Sequence, residues 1–265
     1  LDTSHDWIVQ RTGIEERRWV QGDVGACDLA LPATHQALEE AGIGPEDLDL
    51  IIFATLSPDV NFPGSSCILQ GMLGIPGTAT LDIRNQCTGF VYGLSIADQF
   101  IRTGAMNHVL VVGAEVHSSG LDMTNRGRDV TVLFGDGAGV AVVGPTEAEN
   151  RIIDSRLHAD GSNYSILMLE APASRSNPRL TEEMMVDGKH FPSMDGRSVF
   201  KNAVERLPEV VVDILSDHGH SPADIDLMVP HQANLRINQM AARTLKLRED
   251  QVFNNIHKYG NTTAA

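Results

Sequence analysis

The sequence predicts an α/β fold made of a duplicated unit, with layered, mostly parallel buried sheets covered by helices. Three observations carry that prediction. Short apolar strands alternate with helical patterns over the first 143 of 265 residues. A block of a dozen residues recurs in the second half. No Pro/Ser-rich linker, charge run or low-complexity stretch separates the halves, so one compact unit is expected, with halves at 1–150 and 151–265.

Residues 28–42 (DLALPATHQALEEAG) place apolar side chains at helical spacing and stop at glycine. DLDLIIFAT (47–55) follows as a strand apolar on both faces, as a parallel sheet covered by helices requires. The pattern then repeats: SSCILQGMLG as helix, TATLDI as strand, TGFVYGLSIADQFIRTG as helix, HVLVVGAEV and AGVAVVG as strands. The duplication shows in GIGPEDLDLIIF (42–53) and GHSPADIDLMVP (219–230), which align glycine, proline and two aspartates in one register. Cys87 follows Pro45, and Asn261 follows Pro222, at similar range; each is expected after a strand and at the opening of a helix-like segment. A pseudo-twofold would bring both to the strand carboxyl ends, where α/β sheets build their sites.

The composition, 42% hydrophobic and 21% charged, is that of a globular protein with a sizeable core. A formal charge of −15 opposes broad binding to nucleic acid or anionic lipid. No apolar run is long enough to span a bilayer, and the first residues lack a secretory pattern. Cys27, Cys67 and Cys87 form neither a CxxC pair nor an even set, which fits free thiols in a reducing cytoplasm.

Cys27 and Cys67 read as small core hydrophobes. Cys87 stands instead at a sharp strand-to-helix turn, where unsatisfied N–H groups favour a thiolate and lower its pKa, and where Gly89 permits close approach. Such a thiolate can accept an acyl group from a thioester. Position alone leaves the choice between nucleophile and filler open. His231, in VPHQANLRI, ends the second repeat's strand before a helix that Asn234 can cap, so it too faces the sheet's carboxyl edge. His5, His35, His117, His218, His220 and His257 fall in predicted surface or loop segments, and His108 opens a strand. Asn261, in YGNTTAA, is either a helix cap or a partner of the other two.

Together TSHDWIVQRTGIEERRW, DIRNQCTGF, VLVVGAE, LFGDGAGVAVV, VPHQANLRI and YGNTTAA resemble the β-ketoacyl-acyl carrier protein synthase III family of the thiolase superfamily, over almost the whole chain. The family's Cys-His-Asn triad falls on Cys87, His231 and Asn261. The resemblance implies a thiolase-like fold, a likeness to acyltransferases and a two-stage condensation. Cys87 takes an acyl group from acyl-coenzyme A, and a malonyl thioester on acyl carrier protein or coenzyme A then loses carbon dioxide and attacks it. His231 and Asn261 would donate hydrogen bonds to the developing oxyanion. Neither cofactor nor metal is implied, since coenzyme A thioester is a substrate, and a homodimer is.

The resemblance also assigns Trp7, Arg11 and Arg126 to the nucleotide end of coenzyme A, and Gly196 and Asn234 to its pantetheine arm. Phe62, on a loop reaching across the dimer, and Phe134 would line the acyl pocket. Lys201, Arg236, Arg243 and Lys246 are candidates for a basic patch receiving an acidic carrier protein. Family members continue at both ends with a leading strand and a closing glycine-rich strand pair, which implies either an incomplete sequence here or a fragment that could not catalyse as written. The segment 161–196 is long and rich in methionine (Met168, Met184, Met185, Met194), which suits a larger acyl group and, with RNQCTG and TNRGRD, suggests the family's secondary-metabolism, quinolone-type branch. Alternatives are a non-decarboxylating acyltransferase and a non-catalytic dimerising paralogue.

Overall fold

The structure is a computed structural model that describes residues 1–265. In chain order the main elements are α1 (His5–Thr12), α2 (Ala26–Ala41), β1 (Leu50–Ala54), α3 (Ser65–Leu73), β2 (Ala79–Ile83), α4 (Gly89–Arg102), β3 (Val109–Glu115), α5 (Arg128–Thr131) and β4 (Gly137–Val143). They are followed by β5 (Leu167–Met168), α6 (Glu182–Val186), β6 (Ser193–Met194), α7 (Gly196–Asp217), α8 (Leu235–Leu245) and α9 (Ile256–Tyr259). Two compact units form. One comprises Arg18–His117, Gly135–Ser155 and Thr262–Ala265; the other comprises Leu1–Arg17, Ser118–Phe134 and Arg156–Asn261. Both are discontinuous, so the grouping differs from a division at 150/151.

The first unit is built on a sheet of order β2-β1-β3-β4, parallel except where β4 runs antiparallel to β3. Every residue of β1 and β3 is buried, and the two-residue strand period decides which helix each one meets. Ile51, Phe53, Leu110, Val112 and Ala114 pack with Ala26, Ala30, Leu38 and Leu69 from α2 and α3. Leu50, Ile52, Val109 and Val111 point to the opposite face and meet Ala97 and Leu94 of α4. Glycines set the approach of α4 to the sheet: a Cβ on Gly93 would stand 2.7 Å from Val111 Cγ1, and one on Gly89 would stand 2.9 Å from Ala54 Cβ. The start of α4 is thereby held against the carboxyl end of β1.

The second unit is largely helical. Ile8, Ile14, Val132 and Ile256 share one core cluster, which explains why residues 1–17 and 118–134 join the C-terminal half. The repeat is visible locally: Gly42 and Gly219 both have left-handed φ (71° and 73°), and Pro45–Asp47 and Pro222–Asp224 both form a single turn of 3-10 helix. Beyond that turn the copies diverge. The strand expected before His231 reduces to one bridge, Met228 to Val252, and the unit's only ladder is the two-residue β5–β6 pair. Leu227 and Val229 remain exposed there, whereas the corresponding residues of β1 are enclosed between two strands.

Candidate active site

Cys87 lies in a short turn of 3-10 helix, Gln86–Thr88, between the end of β2 and the start of α4. The Thr88 hydroxyl and backbone N–H both donate to the Asn85 carbonyl, at 2.8 and 3.1 Å, closing the turn. Gln86 carries φ of +44°, an unusual conformation for a residue with a Cβ, which costs on the order of 1–3 kcal/mol and tends to occur at functional sites. The placement of Cys87 between a strand and a helix matches the sequence expectation. The electrostatics do not: burial first, and then the Glu115 carboxylate, push the Cys87 thiol up to about 12. The helix start is outweighed, and the resting group is a thiol. Cys27 is buried, with its Sγ donating to the Ser65 carbonyl at 3.1 Å, as a core residue should be. Cys67, expected in the core, is exposed on α3.

The sheet's carboxyl edge holds two groups that sequence reading passed over. Glu115 ends β3 fully buried. His117, expected on the surface, is also buried: its backbone N–H donates to Asp136 at 2.7 Å, and its Nε2 lies 3.1 Å from the Thr263 hydroxyl. Burial lowers its pKa. The available signal was the single carboxylate closing an otherwise apolar strand in VLVVGAE.

In the other unit, His231 precedes α8, whose cap is Asn234: the Asn234 Oδ1 accepts from Arg236 N–H at 2.9 Å. The Asn234 Nδ2 donates to the Arg11 carbonyl, so this side chain is committed to capping and to holding α1. Gln232, not singled out by sequence, ties the histidine loop to the start of α9. Its amide donates to the carbonyls of Pro230 and Phe253, and its oxygen accepts from the N–H groups of Asn255 and Ile256. From α9 the chain passes through Gly260 into Asn261. Gly260 has φ of +68°, and a Cβ there would lie 2.8 Å from the Leu133 carbonyl. Asn261 is buried in a bridge to Phe134, its N–H donating to Leu133 at 2.8 Å; it opens no helix.

The His231 Nε2 is buried and has no hydrogen-bond partner. Burial moves this imidazole down from 6.5 to about 4, so it is neutral at pH 7. The unfolded chain gains a proton at this residue as pH drops below 6.5, and the folded chain does not until about 4. Stability from this group is therefore present above pH 6.5 and is lost on acidification, by roughly 3 kcal/mol at most. Urea midpoints measured between pH 7.5 and 4.5 are expected to fall, and to fall less in His231→Gln; equal slopes would contradict the burial argument.

Of the residues assigned to coenzyme A, Trp7 and Arg11 come together, with the Arg11 guanidinium 4.3 Å from the indole centroid. Arg128, unassigned by sequence, joins them at 5.0 Å. Arg126 instead pairs with Asp122 at 2.6 Å, lies over Phe191 and donates to the Val186 carbonyl. The methionine-rich segment is therefore fastened to Arg126, with Gly188 so close that a Cβ would stand 2.2 Å from the Arg126 Cζ. Met194 pairs across from Leu167 and Met168 from Ser193, while Met185 is exposed; Gly196 begins α7. Phe62 is 86% exposed and Phe134 is buried. Lys201, Arg236, Arg243 and Lys246 are all exposed, but Arg236 donates to the Gln10 carbonyl, and Lys246 shares a groove with Glu205, Glu209 and Asp213.

No helix is long and apolar enough to cross a membrane. Family models for 3-oxoacyl-[acyl-carrier-protein] synthase III match residues 81–161, and for its C-terminal part residues 215–265. A β-ketoacyl-[acyl-carrier-protein] synthase III of Caldanaerobacter subterraneus is 46% identical over all of this chain and 79% of its own length. The crystal structure of 3-oxoacyl-[acyl-carrier-protein] synthase III from Aquifex aeolicus superposes with a TM-score of 0.89 at 41% identity, covering 100% of this chain and 79% of that one. The priming β-ketosynthase of the R1128 polyketide pathway is less similar: 32% identity, TM-score 0.84, covering 100% and 77%. These identities do not support the secondary-metabolism, quinolone-type branch. With its thiolase-like α/β fold, the chain belongs to the 3-oxoacyl-[acyl-carrier-protein] synthase III family of acyltransferases.

Proposed function

We propose that this chain carries out the initiating Claisen condensation of fatty acid synthesis: an acyl group moves from coenzyme A to Cys87, and a malonyl thioester is decarboxylated and joined to it. The observation that carries this reading is the 46% identity to a β-ketoacyl-[acyl-carrier-protein] synthase III over the full chain. Its local support is Cys87 on a strained turn at the sheet's carboxyl edge and a neutral His231 whose Nε2 has no protein partner. The Nε2 suits a hydrogen bond to the enolate oxygen formed as carbon dioxide leaves, an oxyanion-hole role. Carbon–carbon bond formation at an acyl-cysteine needs no cofactor.

The malonyl donor is read as malonyl-acyl carrier protein, docking on Lys201, Arg236 and Arg243; Lys246, among carboxylates, contributes least to attracting an acidic partner. Trp7 with Arg11 and Arg128 offers an aromatic face and two cations for the nucleotide of coenzyme A. An 86% exposed Phe62 is the form expected of a residue completed by a second subunit, so a homodimer is part of the proposal, as is a cytoplasmic setting. The methionine-rich segment is tied to Arg126, and we read it as packing on that side, leaving the starter a short acyl group. The test is intact mass and peptide mapping after incubation with acetyl-, butyryl-, octanoyl- and aromatic acyl-coenzyme A. An adduct on Cys87, formed fastest with the short chains, is expected; preference for octanoyl or aromatic groups would overturn the short-starter reading.

A further inference from the structure

Glu115 holds a negative charge where nothing positive meets it. Its Oε2 accepts from the Thr55 hydroxyl at 3.0 Å, Leu56 N–H at 3.2 Å, Ser57 N–H at 3.1 Å and the Ser57 hydroxyl at 2.5 Å; Oε1 also accepts from Leu56 N–H. Every partner is a donor, which is the pattern of an ionised carboxylate. No cation contacts it, and the side chain is completely buried. The Ser57 hydroxyl in turn accepts from Val116 N–H at 2.9 Å, closing the turn after β1 onto the end of β3.

The sheet register places this clamp at the same sheet edge as the Cys87 turn. Ala54 is level with Ile83 on β2 and with Gly113 on β3, and Thr55 N–H donates to the Ile83 carbonyl. The turn after β1, the Cys87 turn after β2 and Glu115 thus share one edge, with Gly89 of the nucleophile helix on Ala54. The charges facing this edge are Glu115 and, beyond His117, Asp136; His117 itself is held toward its neutral form by burial. On the β2 side the Asp82 carboxylate accepts from the Ser66 N–H at 3.1 Å and from the Ser66 hydroxyl, while Arg84 is exposed.

We infer that Glu115 is a positioning residue for the nucleophile: its buried carboxylate clamps the turn after β1 onto the end of β3 at the sheet edge that carries Cys87, and sets a fixed negative charge on that edge. The inference rests on Cys87 being the nucleophile of the proposed reaction. Acyl transfer remains balanced without a standing thiolate. The new sulfur–acyl bond forms as the donor's acyl–sulfur bond breaks, and the proton of Cys87 ends on the departing coenzyme A sulfur. A resting thiol is also less prone to oxidation, because the thiolate is the oxidisable form.

The test is the rate of iodoacetamide alkylation of the full chain from pH 6 to 11, mapped by peptide so that exposed Cys67 is read separately. For the unmodified protein, the Cys87 rate is expected to keep rising through the alkaline range. Glu115→Gln is expected to move that profile to lower pH and to accelerate Cys87 roughly tenfold at neutral pH, equivalent to one pKa unit. Glu115→Asp, which keeps the charge, is expected to restore the alkaline profile. A plateau near neutral pH in the unmodified protein, or coincident profiles for it and Glu115→Gln, would overturn the inference. If Glu115→Gln does not fold, Thr55→Val and Ser57→Ala, which each remove a hydroxyl donor from the clamp and keep the charge, are read in its place: a changed Cys87 alkylation rate supports the positioning role, and an unchanged one overturns it. Failure to detect an acyl adduct on Cys87 would defeat the proposed function while leaving this profile readable.

Discussion

Cys87→Ala is expected to remove acyl transfer and condensation together, by a factor on the order of 10⁴ or more, as loss of a covalent nucleophile does. No other thiol can take its place. Cys27 is buried with its sulfur bonded to the Ser65 carbonyl and its thiol pushed up by burial, while Cys67 is on the surface of α3 beside Thr80. Neither stands at the end of a strand with a helix opening behind it. Intact mass after incubation with acyl-coenzyme A, followed by peptide mapping, checks this directly: the unmodified chain gains one acyl group on the peptide containing Cys87, and the variant gains none. An equal adduct on Cys87→Ala would dismiss this residue as the acceptor. Because no thiolate stands at neutral pH, the acylation rate is also expected to respond to the leaving ability of the donor thiol.

The second large effect separates the two stages. His231→Ala and Asn261→Ala are each expected to leave formation of the acyl-Cys87 adduct largely intact while slowing malonyl decarboxylation about 10²- to 10³-fold, the usual consequence of deleting one oxyanion donor. His231 suits the part because burial keeps the imidazole neutral and its Nε2 is satisfied by nothing in the protein. Asn261 is held by its backbone, through the Leu133 carbonyl and the bridge to Phe134. Gln232 and the Gly260 turn fix the two loops within one unit, so the double variant should cost less than the product of the single ones. Carbon dioxide release from malonyl thioester and adduct mass are read on the same samples. Normal decarboxylation with lost acylation would reverse the roles.

The sheet of the first unit was legible because its strands are enclosed on both faces and therefore spell continuous apolar runs; LIIFA and VLVVGAE can hardly be anything else. The junction at Cys87 followed from the same reading. The second unit was less legible: Leu227 and Val229 look like strand residues but lie exposed beside a single bridge, since neighbouring strands, not propensity, make a ladder. The charge state of Cys87 was hidden for a related reason. The helix start is written next to it in the chain, whereas its burial arises only on folding, and Glu115 reaches the same edge only through the parallel register of β1 with β2 and β3. His117 and Arg128 were missed likewise, each acquiring its role from a partner distant in sequence, Thr263 and Trp7.

The discontinuity of the first unit bears on how the chain reaches this state. Its four strands lie between Leu50 and Val143, so the sheet can form once the first half of the chain has been made. The last four residues nevertheless belong to the same unit: the Ala264 carbonyl covers Gly113, where a Cβ would stand only 2.0 Å from it, and Thr263 adopts a φ of +52° beside His117. More than a hundred residues of the other unit are synthesised in between. The sheet edge carrying Cys87 is thus completed by a segment distant in sequence, a long-range contact of the kind whose loop entropy is spent before any contact repays it. The surroundings of Cys87 are therefore completed only after residues 262–265 have been made, whereas the strands of the sheet are all in place by Val143.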